Sequence, residues 1–180
     1  NYNTFVGAYT GQNNTDGAYN TLVGYAVGQS MSTAADYNTG IGYQALSNVK
    51  GNSTNNVAIG NRVAQDLHSG YNNVFIGYQV AQEFKSGSYN IGLGSQAFTD
   101  AGLNAYTQTS HNIGMGYQTL KEVGLGSYNL AMGYQAALHQ RTGSYNTMIG
   151  RQVLGLSNTE GDAGDYNVLI GDRAGYSLNN

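Results

Sequence analysis

The chain has no cysteine, no proline and no tryptophan, and charged residues make up only 9% of its 180 positions. Without cysteine, no disulfide can staple the fold. Without proline, no position is barred from a hydrogen-bonded ladder, so the whole chain is free to pair as sheet. No apolar run approaches the length of about 18 residues that a membrane helix needs, which excludes membrane insertion of this segment. Seven Lys and Arg against ten Asp and Glu, a net charge of -3, argue against binding to a nucleic-acid backbone.

What is abundant is glycine, with 27 residues, and tyrosine, with 16. Both recur in one motif, Asn-x-x-Φ-Gly, where Φ is Val, Ile, Leu or Met and a Tyr commonly precedes the Asn. The anchors are Asn3, Asn20, Asn38, Asn56, Asn73, Asn90, Asn112, Asn129, Asn146 and Asn167, at spacings of 17, 18, 18, 17, 17, 22, 17, 17 and 21 residues. A unit that short cannot close a core alone and must bury its apolar face on its neighbours. The sequence therefore predicts an all-β chain, one parallel β-solenoid domain of ten coils over residues 1–180, with a period of about 17. Repeat fills the chain to both ends, and it reads as a segment of a longer fibre.

Position by position, the residue three after each Asn is apolar in every copy: Val6, Val23, Ile41, Ile59, Ile76, Leu93, Met115, Met132, Ile149 and Ile170. With the Thr or aliphatic residue one after the Asn it shares a parity, and that alternation predicts a strand whose core face carries these side chains. The position between them has the opposite parity and is expected to point outward, yet it holds Phe5, Leu22, Phe75, Met148 and Leu169 among small residues. An outer stripe of that kind implies cover by another chain. The Gly after each Φ reads as a corner, and segments such as Tyr43-Gln44-Ala45-Leu46 read as a return strand. In a stack the anchor Asn side chains would form an amide ladder. The preceding Tyr residues would form an aromatic stack interrupted at Asn55, Asn72 and His111.

The run Asn55-Asn56-Val57-Ala58-Ile59-Gly60 and the recurrent Gly-Ser-Tyr-Asn-x-x-Φ-Gly-Tyr-Gln-Ala resemble the head repeats of trimeric autotransporter adhesins. They are equally similar to repeats of bacteriophage tail-fibre proteins. The resemblance implies a left-handed parallel β-roll, assembly as a homotrimer, an extracellular position on a cell or virion surface, and use in attachment. The period here is longer than that of the adhesin heads, and Tyr and Gln are more frequent.

Little in the sequence suggests catalysis. His68, His111 and His139 occupy unrelated repeat positions with no recurring acid or nucleophile, so no catalytic residue, cofactor or metal is expected. Three carboxylates, Glu160, Asp162 and Asp165, lie on Gly-rich backbone and could offer oxygens to Ca²⁺, but their spacing fits no known calcium loop and a solvated acidic loop is the preferred reading. Most charged residues lie in the variable loops, which predicts one solvated, displayed edge. The longest loops, 98–110 and 156–165, nominate Asp100, Asn104, Tyr106, Glu160, Asp162 and Asp165 for contact with a surface receptor or glycan. The expected function is thus a non-enzymatic surface fibre that mediates attachment. The alternative is a purely structural filament built by lateral and end-to-end stacking of chains. Ice binding ranks last, because Thr follows the anchor in few coils and is expected to point inward.

Overall fold

A computed structural model describes residues 2–31, 34–101, 109–154 and 164–176. Each anchor Asn leads into one strand: β1 (Thr4–Val6), β2 (Thr21–Tyr25), β3 (Thr39–Tyr43), β4 (Val57–Asn61), β5 (Val74–Tyr78), β6 (Ile91–Ser95), β7 (Ile113–Met115), β8 (Leu130–Met132), β9 (Thr147–Ile149) and β10 (Val168–Ile170). They form a single sheet in chain order, β1 to β10. Every pair is parallel and in repeat register, with Ile41 beside Ile59, Ile59 beside Ile76 and Gly42 beside Gly60. The chain is a parallel β-solenoid.

The return segment is not a strand. In it, every second residue has a positive φ, as at Gln44 (φ 53°) and Leu46 (φ 52°) or Gln118 (φ 54°) and Leu120 (φ 49°). That alternation curls the chain into consecutive turns. Only every second N–H lies along the stack, as in Gln44 N–H to Tyr25 O at 2.9 Å and Leu46 N–H to Val63 O at 3.0 Å. Left-handed conformation is unfavourable for a residue with a Cβ, and it persists because bonds to neighbouring coils fix it on both sides.

The strand faces are the reverse of the predicted ones. Phe5, Leu22, Phe75, Met148 and Leu169, expected on the outside, point into the solenoid, and Leu22, Phe75 and Met148 are completely buried. Phe5 and Leu169 sit on the same interior face but in the end coils, where less chain covers them. Val6, Val23, Ile41, Ile59, Ile76, Leu93, Met115, Met132, Ile149 and Ile170, expected in the core, point outward, and none is buried. The physical reason is the anchor itself. Its side chain shares the parity of the residue two later, and it must face inward to reach the backbone of the returning chain.

The core is completed by the turn segment, through Val27, Leu46, Val49, Val63, Leu67, Val80, Phe84, Phe98, Leu120 and Val153. Phe75, Phe84 and Phe98 meet at its centre with ring centroids 5.3 to 6.2 Å apart. Small residues stand where large ones need room: a Cβ on Gly92 would press on Phe75, Val80 and Phe98 at 2.9 to 3.0 Å. At the corner after each Φ the constraint is backbone. A Cβ on Gly60 (φ 134°) would collide with the carbonyl oxygen of Gly77 in the next coil, and the same holds from Gly7 to Gly150.

Each anchor amide then works in both directions. Oδ1 of Asn56 accepts the N–H of Asn73 at 3.1 Å and an Nδ2 proton of Asn73 at 3.0 Å, while Nδ2 of Asn56 donates to Gly70 O at 2.8 Å. Oδ1 acceptance from the next anchor N–H repeats from Asn3 through Asn146 at 2.8 to 3.1 Å. Asn suits this position because one side chain must supply an acceptor along the stack and a donor across the coil.

Candidate interaction face

With the interior assigned, the outer face of the sheet stands out. Its two central columns are the residues one and three after each anchor: Thr4 and Val6, Thr21 and Val23, Thr39 and Ile41, Val57 and Ile59, Val74 and Ile76, then Ile91 and Leu93, Ile113 and Met115, Leu130 and Met132, Thr147 and Ile149, Val168 and Ile170. Ile41 and Ile76 are 38% and 37% exposed although they lie on inner strands, so their exposure is not an end effect. Parallel strands in this register stack like residues at about 4.8 Å, which makes each column continuous from coil to coil.

Tyrosines border the columns on both sides. On one side Tyr2, Tyr19 and Tyr37 stack at 5.1 and 4.7 Å. Tyr89, His111, Tyr128, Tyr145 and Tyr166 continue the column at 4.5 to 5.0 Å. His111 therefore joins the aromatic stack instead of interrupting it, and the gap is confined to Asn55 and Asn72. On the other side stand Tyr25 and Tyr43, stacked at 5.4 Å, and Tyr117 and Tyr134, stacked at 5.3 Å. Near the C-terminal end a bidentate ion pair replaces Tyr, with Arg151 Nε 2.8 Å from Asp172 Oδ1. The Asp172 carboxyl is held below its usual range by that hydrogen bond.

Beyond the second border a hydrogen-bonded glutamine ladder runs over Gln79, Gln96, Gln118, Gln135 and Gln152, each Nε2 donating to the preceding Oε1 at 2.8 to 3.2 Å. The apolar face is thus walled by polar side chains that already satisfy one another. Sequence reasoning missed the second Tyr border and this ladder. The recurrent Tyr-Gln after the corner Gly was their signal.

Of the loop residues nominated from the sequence, the two described ones, Asp100 and Asp165, each have a partner within the stack. Asp100 is paired with Lys121 at 3.2 Å. Oδ1 of Asp165 accepts the N–H of Ser144 at 2.7 Å, so it serves the stack. Asn104, Tyr106, Glu160 and Asp162 lie outside the described residues. Among the described residues no three His, Asp or Glu side chains cluster as metal ligands, and no helix is long and apolar enough to cross a membrane. Comparison of the chain with protein-family models, curated proteins and solved structures finds no match.

Proposed function

We propose that the chain is a non-enzymatic fibre protein of a cell or virion surface, whose copies associate laterally through the outer sheet face and display their loop edges for attachment. The observation that carries this reading is the aliphatic, Tyr-bordered sheet face left open in a single chain. From one Tyr border to the other the face spans about 20 Å and along the stack about 45 Å, roughly 900 Å². A standard specific interface takes about 800 Å² from each partner. A monomer would leave in water an apolar patch larger than monomers normally tolerate. A second copy of the same face matches it in strand spacing and in its uncharged central columns, and three copies would close the assembly as the resemblance to adhesin heads and tail fibres implies. The alternative, a purely structural filament, needs the same lateral contact plus end-to-end stacking.

Sedimentation at micromolar concentration tests the reading. The expected result is a discrete oligomer, with a trimer as the proposed state. A folded monomer at that concentration overturns the proposal, and long filaments in electron micrographs favour the alternative.

A further inference from the structure

The first Tyr border breaks at two successive coils, where Asn55 and Asn72 occupy the column position. There Tyr71, one residue before that position, holds its ring at 82° to Tyr89 with centroids 5.4 Å apart. The column rings lie face to face along the solenoid axis, so Tyr71 turns its faces across the axis, and it is 46% exposed. It lines a groove of about 210 Å³ whose other walls are Asn52, Ser69, Gly87, Ser88 and Ser110. Ser88 Oγ accepts the N–H of Tyr71 at 3.2 Å and Ser110 Oγ that of Ser88 at 3.1 Å, which leaves each hydroxyl proton as a donor.

A basic column adjoins this groove. Lys50 precedes Asn52 by two residues, His68 immediately precedes Ser69, and Lys85 precedes Gly87 by two. Backbone bonds hold the three turns in register: Lys50 N–H donates to Leu67 O at 2.9 Å, and the His68 and Ser69 N–H groups donate to Lys85 O at 2.9 and 3.0 Å. None of the ion pairs among the described residues includes Lys50, His68 or Lys85. Partial burial, then the charges of Lys50 and Lys85, push the His68 imidazole below its ordinary value, with Asp66 opposing. Asp66 itself accepts a hydrogen bond from Asn48 Nδ2 at 2.7 Å. Two lysines that disfavour charge on the histidine between them, beside a hydroxyl-lined groove, mark a place where an anion would be stabilised.

We propose that this groove binds an acidic saccharide, a uronate or a sulfated sugar, with Lys50, His68 and Lys85 pairing its acid group, Ser69, Ser88 and Asn52 bonding its hydroxyls, and the open face of Tyr71 covering its C–H surface. The chemistry fits each wall: cations for the acid, small hydroxyl and amide groups for the ring oxygens, and an aromatic face for the apolar side of the sugar. The proposal deepens the attachment reading, on which it rests, by naming a ligand class and a site at the border of the lateral face.

The test is calorimetric titration of the full chain, at low salt, with hexagalacturonate, dextran sulfate, neutral dextran and inorganic sulfate. Both acidic saccharides should bind, with neutral dextran and inorganic sulfate at least tenfold weaker. The double variant Lys50→Ala, Lys85→Ala and the single variant Tyr71→Ala should each weaken saccharide binding tenfold or more without changing the melting temperature or the sedimentation coefficient. In NMR, the His68 imidazole should titrate at higher pH when hexagalacturonate is bound. Undiminished binding by both variants, an unmoved His68 titration, or sulfate binding as tightly as the saccharides would each overturn the assignment. A folded monomer that still binds hexagalacturonate would sink lateral assembly alone, and an oligomer that binds neither acidic saccharide would sink this site alone.

Discussion

A single anchor amide can be read as a three-way junction, and its chemistry sets what may replace it. Asn73 is fully buried, donates through Nδ2 to Asn56 Oδ1 at 3.0 Å and Gly87 O at 2.9 Å, and accepts from Asn90. Asn73→Ala leaves those partners unsatisfied and should cost about 1–3 kcal/mol. Asn73→Asp keeps the shape but aims carboxylate oxygens at two acceptors, so it should cost more than the alanine, ~3 kcal/mol or above. Denaturant melts of the two variants give the order, and equal losses would mean that the Nδ2 donor is dispensable. His68 is a second residue with a measurable signature. Its folded-state pKa lies below its ordinary value of 6.5, so the unfolded chain binds the proton more tightly. The His68 contribution to stability is therefore full above pH 6.5 and lost as pH falls toward the lowered value. Melting temperatures should fall as pH drops below 6.5, and His68→Gln should reduce that fall; an unchanged profile would contradict the direction of the shift.

At the scale of the strand, adjacent positions have opposite duties, and β4 shows it most economically. Ala58 is fully buried, whereas Ile59 faces outward on the sheet. Ala58→Asp should abolish cooperative folding across several coils because an unpaired charge enters a closed core. Ile59→Asp, one residue later, should leave circular dichroism and melting of the single chain close to those of the parent while dissociating any oligomer in sedimentation. If Ile59→Asp unfolds the chain as Ala58→Asp does, the assignment of faces is wrong. The sequence carried the strand positions and the period plainly, because the Asn spacing marks each coil. Facing was not legible from alternation, since the three positions after the anchor hold only Gly, Thr and apolar residues and either parity satisfies the pattern. The discriminating signal was size: the interior position swings from Leu22 to Gly40 and from Phe75 to Gly92, as interdigitating neighbours must, while the outer positions stay uniformly Thr or aliphatic. Turn geometry was illegible for another reason. Left-handed residues such as Gln44 and Leu46 have no Gly or Asn to announce them, because the stack, not local preference, imposes their conformation.

For the molecule as a whole, the border of the sheet was visible in the sequence as Tyr before Asn, but the groove at Tyr71 was not, because it arises from side chains that are neighbours only after coils stack. The same stacking has a kinetic consequence. Nearly all long-range rungs join residues one coil apart, and the typical separation of 17 residues in a chain of 180 corresponds to a relative contact order of about 0.1. That is the territory of helical bundles, although the described residues form only strands, turns and loops. Each coil also presents a pre-formed acceptor, the anchor Oδ1, to the N–H of the coil that follows it in the chain. Folding should then run like a zipper, with closure of one short loop per step and no distant strand to wait for. Stopped-flow refolding should show a main phase in milliseconds or faster, well ahead of β-sandwiches of similar stability, and a chain emerging from a ribosome could complete one rung for each period synthesised.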